Sequence, residues 1–227
     1  MVGTLRFANP ATAIQGEIMG LVAYEKLIET LHKSVIKANA LYEAWSGSWL
    51  ITSATESFLV SQMATAIMKL NNPPSYLTLE TLFQEISDNQ GKNIRGRKPS
   101  YYSDQNRLDM ALYSGENLSH AIEVKRFMSP KCINDIARLC KLHENFHKKI
   151  GGTFQHCIFV QYVYAKARKR GELCQHLENK LNEYKEKCAA FIEERGLTYE
   201  FRRGGEFVKP ITYNDEICSS YSITIKS

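Results

Sequence analysis

Three side chains, Asp109, Glu123 and Lys125, have the types and the spacing that metal and proton chemistry require. They lie in two segments of strand pattern, 107–113 (RLDMALY) and 118–127 (LSHAIEVKRF), joined by the hairpin-turn chemistry of Ser114-Gly115-Glu116-Asn117. Side chains alternate between the faces of a strand, so Arg107 and Asp109 point one way while Leu108, Met110 and Leu112 point the other. On the next strand Glu123 and Lys125 share a face, and Ile122 and Val124 face a helix on the opposite side. With the hairpin in register, Asp109 and Glu123 converge at about 5 to 8 Å between Cβ atoms. Two carboxylates on a buried sheet are costly unless a cation balances them, and hard oxygen ligands at that separation suit Mg²⁺ or Mn²⁺.

Asp109 followed by Ala121-Ile122-Glu123-Val124-Lys125 resembles the PD-(D/E)xK signature of the restriction-endonuclease-like nuclease superfamily, with Leu108 in place of the proline that names the motif. The resemblance implies an α/β (α+β) core: a helix, a hairpin carrying the acids, a crossover helix and a further strand, built around a mixed sheet flanked by helices. It also implies a Mg²⁺- or Mn²⁺-dependent nuclease that hydrolyses phosphodiester bonds in DNA, an endonuclease of the restriction, defence or repair type. Asp109, Glu123 and Lys125 would be catalytic, and Asp109 and Glu123 would bind metal with the Val124 carbonyl. An acid from the preceding helix often joins such a site; Glu56 is the first candidate and Glu85 the second. Lys125 would orient or deprotonate the attacking water, its pKa lowered beside the metal. The alternatives are a DNA-binding or assembly protein that keeps the fold without catalysis, and an RNA-directed nuclease.

The triplet Glu-x-Lys alone decides little, because it also occurs at Glu178 and Glu183. There it falls on a helical pattern, where residues two apart point in nearly opposite directions and cannot form one site.

The elements that must position the hairpin follow from periodicity. Apolar residues recur at helical spacing over 17–45 and again over 53–69, where Ser53 as N-cap and Glu56 three residues on form a capping-box pattern, ending at Asn71-Asn72-Pro73-Pro74. A short helix is expected over 79–86 and an exposed loop over 88–105. Helical spacing over 133–150 precedes an almost continuously apolar strand at 154–164, so β-helix-β with parallel strands is expected. A helix at 172–195 leads to strands at 197–203 and 221–225 on the sheet edge. We expect one domain over 1–227, with an N-terminal helical region (1–50), a core (53–165) and a C-terminal helix with edge strands (166–227).

The chain of 227 residues is 44 % hydrophobic with a net charge of +5, enough to bury a core and too mild to demand a polyanion. Its basic residues cluster beside the expected core. Arg95, Arg97 and Lys98 precede the hairpin, where Arg107 is either a phosphate contact or a partner of Asp109, and Arg168, Lys169 and Arg170 follow the apolar strand. All six are expected to bind nucleic-acid phosphates, with Tyr101, Tyr102, Tyr162 and Tyr164 nearby for base stacking. The six cysteines lack a C-x-x-C pair and are expected as reduced core residues. No run is apolar enough to cross a membrane and no secretory signal opens the chain, so no membrane partner and a cytoplasmic location are expected. Apolar surface on the first helix allows a homodimer.

Overall fold

The computed structural model describes residues 6–8, 21–48, 53–89, 106–127, 129, 131–147, 154–167, 170–209 and 215–226. Its fold is mixed α/β. Among the described residues eight strands form one sheet in the order β1-β2-β3-β4-β5-β8-β6, with β7 also paired to β8. In chain order they are β1 (Arg6–Ala8), β2 (Tyr76–Leu82), β3 (Arg107–Ser114), β4 (Asn117–Lys125), β5 (His156–Ala167), β6 (Thr198–Arg203), β7 (Phe207–Lys209) and β8 (Asp215–Lys226). The described helices are α1 (Tyr24–Ser46), α2 (Glu56–Met68), α3 (Phe83–Asn89), α4 (Lys131–His147) and α5 (Arg170–Glu193). Among the described residues no helix is long and apolar enough to cross a membrane.

The β3–β4 hairpin turns on Gly115 and Glu116. Gly115 has φ +57°, which the first central position of such a turn requires and which glycine adopts without Cβ strain. From β4 the chain passes through α4 to β5, which pairs parallel with β4, as the periodicity predicts; every other pairing is antiparallel.

Alternation along β4 and β5 divides the core into two layers. Ile122, Val124, Ile158 and Val160 pack with Leu27, Leu31 and Val35 of α1 and with Leu59, Met63 and Ile67 of α2. Ala121, Cys157 and Phe159 pack on the other side with Ile136 and Leu139 of α4 and Leu177 and Leu181 of α5. The i, i+4 repeats in both N-terminal helices place a continuous apolar stripe on the sheet, each fully buried large side chain contributing about 1.5–3 kcal/mol.

The structure corrects four local expectations. Residues 79–82 are strand rather than helix, because β3 pairs with Leu79, Thr81 and Leu82 and uses their backbone groups. Residues 221–225 belong to a longer strand, β8, that lies inside the sheet between β5 and β6. Its Ser219, Ser220, Ser222 and Thr224 give a polar sequence, but their buried hydroxyls are satisfied by Gly204 and Gly205 carbonyls, His32 and Tyr24. The N-cap of α2 is Thr55, with no side-chain cap bond, so Glu56 opens the helix instead of closing a capping box. Leu108 packs in the layer of Phe83 and Ile86, apart from Met110 and Leu112.

Candidate active site

Four elements converge on the Lys125 ammonium at the end of β4. Its Nζ lies 3.0 Å from Glu56 Oε1 of α2, 3.7 Å from Asp109 Oδ2 of β3, 3.8 Å from Glu123 Oε2 on its own strand and 3.7 Å from Asp135 Oδ2 of α4. The register Met110↔Ile122 places Asp109 beside Glu123, as the hairpin argument expects. Backbone groups fix the acids: Val124 N–H donates to Asp109 Oδ2 at 2.7 Å and Arg126 N–H to Glu56 Oε2 at 3.0 Å. Freed from a capping role, the Glu56 carboxylate thus ties the start of α2 to the end of β4.

The electrostatics follow from burial. Glu123 is 1 % exposed, and burial together with the Asp109 carboxylate beside it pushes its pKa well above the usual range. Burial also raises Asp135, more than the Lys125 and Arg138 charges lower it. Burial opposes the Lys125 ammonium, yet the Asp109, Glu123, Glu56 and Asp135 carboxylates outweigh it and raise its pKa. Among these acids Lys125 is held as a cation.

Asp135 and Arg138 are the site residues that sequence reasoning missed. Arg138 Nη2 lies 3.4 Å from Glu123 Oε1 and bonds Asp135 Oδ1 one helical turn away. The available signal was Asp135 itself, an acid among Cys132, Ile136 and Leu139 on the buried stripe of α4. Gln161 was missed as well. It is the β5 partner of Lys125 in register, with its Oε1 accepting from Tyr221 OH at 2.6 Å and its buried Nε2 without a hydrogen-bond partner among the described residues.

Other expected residues stand elsewhere. Arg107 donates to the Glu80 carbonyl at 2.8 Å and forms no ion pair with Asp109. Glu80 feels the site: burial and then the Asp109 charge raise its pKa, and it bulges out of the β2–β3 register at φ +51°. Glu85 lies on α3 and makes no ion pair with the cluster. Tyr162 is buried with its hydroxyl on Asn39, and Tyr164 bonds Glu216, so Tyr162 is no stacking platform. Arg95, Arg97, Lys98, Tyr101, Tyr102, Arg168 and Lys169 lie outside the described residues, as does the side chain of Arg170, which opens α5. The two control triplets behave as solvated charge, with Glu178 on Arg203 and Glu183 on Lys187. Five of the six cysteines are buried free thiols and Cys174 is exposed.

Among the described residues no three His, Cys, Asp or Glu side chains are arranged as a ready metal cage. The carboxylates turn instead onto Lys125 and Arg138. As a donor set they nonetheless fit a hard divalent cation: four carboxylates face two cations, and every candidate ligand is oxygen. Neither a family model, nor a curated protein, nor a solved structure matches the chain.

Proposed function

We propose that the chain is a divalent-metal-dependent nuclease that hydrolyses phosphodiester bonds in DNA. What supports the reading is the convergence of Glu56, Asp109, Glu123 and Asp135 on one lysine, which leaves a largely buried cluster of four acidic side chains facing two basic ones. Asp109 and Glu123, with the Val124 carbonyl and Glu56, would hold Mg²⁺ or Mn²⁺. Such a cation, when bound, lowers the pKa of a water and neutralises charge growing on the phosphate. Lys125 has three donors and faces the same acids, so it would orient the attacking water and balance charge on the pentavalent phosphorus. The bond from Val124 N–H keeps the Asp109 carboxylate on the sheet face where Glu123 stands.

The test is cleavage of supercoiled plasmid by the full chain in Mg²⁺, Mn²⁺ or EDTA, beside Asp109→Ala and Lys125→Ala. Metal-dependent cutting that falls by about a hundredfold or more in both variants supports the assignment. DNA binding without cutting would identify a protein that keeps the site for assembly alone. Cutting that survives both substitutions rejects the assignment.

A further inference from the structure

We propose that Arg138 is the resident counter-ion of Glu123 in the metal-free protein, that a divalent cation entering between Asp109 and Glu123 displaces it, and that the released guanidinium, kept in place by Asp135, contacts the substrate phosphate. The inference rests on the nuclease reading and assigns a role to two residues outside its motif.

A carboxylate as buried as Glu123 needs compensation. Two cations supply it, Lys125 at 3.8 Å and Arg138 at 3.4 Å, both longer than the roughly 2.7–2.9 Å of a well-made charge-assisted hydrogen bond. When ionised, Glu123 thus faces two cations without being locked by either. Lys125 is engaged by four acids and has no freedom to leave. Arg138 is different, because its firm bond is to Asp135, three residues back on the same helix, and not to Glu123. Its Nε is buried and has no hydrogen-bond partner among the described residues, so its donor fork is unsaturated on the inner side of α4. Withdrawing Nη2 from Glu123 leaves a guanidinium that keeps Asp135 as its partner and whose side chain is 25 % exposed. That suits the planar, bidentate recognition of phosphate oxygens.

The experiment measures Mn²⁺ binding to the full chain by titration calorimetry without nucleic acid, together with kcat and KM on a labelled DNA oligonucleotide. The proteins are the wild type, Arg138→Gln, Arg138→Lys and Asp109→Asn. Removing the competing cation should tighten Mn²⁺ binding about tenfold in Arg138→Gln, an effect that a merely structural role would not produce. The same variant should raise KM for the oligonucleotide, and Arg138→Lys should restore wild-type Mn²⁺ affinity while recovering only part of KM, because an ammonium replaces the charge without the fork. Unchanged or weaker Mn²⁺ binding in Arg138→Gln, or an unchanged KM, overturns the proposal. If Arg138→Gln does not fold, Arg138→Lys decides: a raised KM at wild-type Mn²⁺ affinity supports the role, and a wild-type KM overturns it. Wild-type protein that binds no Mn²⁺, or binds it equally well as Asp109→Asn, refutes the nuclease reading itself. Binding that Asp109→Asn abolishes, with Arg138→Gln at wild-type affinity, refutes only the counter-ion role.

Discussion

Glu123 sits between two demands: its place under α4 favours a neutral carboxyl, while metal chemistry needs a carboxylate. Its pKa is raised above the unfolded value by burial and by Asp109, so folding favours the protonated form and the residue subtracts from stability once the pH exceeds the ordinary glutamate range. Glu123→Gln should therefore leave the melting temperature in EDTA unchanged or higher, while lowering metal-dependent cleavage by about a hundredfold or more. Calorimetry and a plasmid assay on one preparation check both halves. Glu56 is the contrasting case. It is more exposed, is bonded by Lys125 and the Arg126 N–H, and holds two elements together. Glu56→Ala should cost about 1–3 kcal/mol in urea unfolding because it strips a hydrogen-bond acceptor from a buried lysine. The sequence pointed to Glu56 by position alone. Its bonding to the end of β4 depends on the helix starting at Thr55, one residue before it.

At the scale of elements, the hairpin and the parallel crossover were legible because their cues are local: a glycine turn, alternation, and apolar runs bounded by polar residues. β2 and β8 were not. The leucines of β2 fit a helical stripe as well as a strand, and pairing of Leu79 and Leu82 to β3 decides between them. Sequence patterning marks only 221–225, as an edge strand; the partners of the β8 serines sit on α1 and on the loop after β6, far off in sequence. That loop is built tightly. A Cβ added at Gly204 would collide with Ser220 Oγ and His32 Nδ1, so Gly204→Ala should cost about 1–3 kcal/mol by chemical denaturation, whereas Gly205→Ala, whose Cβ meets nothing, should cost far less. Leu31→Ala on the buried stripe of α1 should cost about 2–5 kcal/mol through lost burial and the cavity left behind.

Across the whole molecule, three histidines make the fold acid-sensitive. Burial, with Arg202 nearby, lowers His32 to about 4; burial beside His156 lowers His120 to about 3; burial, with Lys226 nearby, lowers His156 to about 4. All lie below the unfolded value of about 6.5, so their contribution is complete above that pH and is lost as the pH falls toward 4, where the unfolded chain takes up protons that the folded one resists. The histidines should lower the melting temperature between pH 6.5 and 4 against the opposite contributions of Glu123, Asp135 and Glu80, and His32→Gln should make that fall shallower. The +5 net charge has its own test. Neutralising Arg95, Arg97 and Lys98, or Arg168, Lys169 and Arg170, should weaken DNA binding and flatten its dependence on salt, read by anisotropy over a salt series.

The sequence by itself determined the helices with regular apolar spacing, the acid-bearing hairpin, and which face of it Asp109, Glu123 and Lys125 share, because periodicity and turn chemistry act over a few residues. Only the tertiary structure decided what surrounds that face. Asp135 and Arg138 arrive from a helix that the sheet orients, Glu80 comes within reach of the Asp109 charge through a bulge in strand pairing, and Lys125 is surrounded by carboxylates from four elements. Charge balance in a buried site sums over everything within a few ångströms, and that neighbourhood is set by packing rather than by order along the chain.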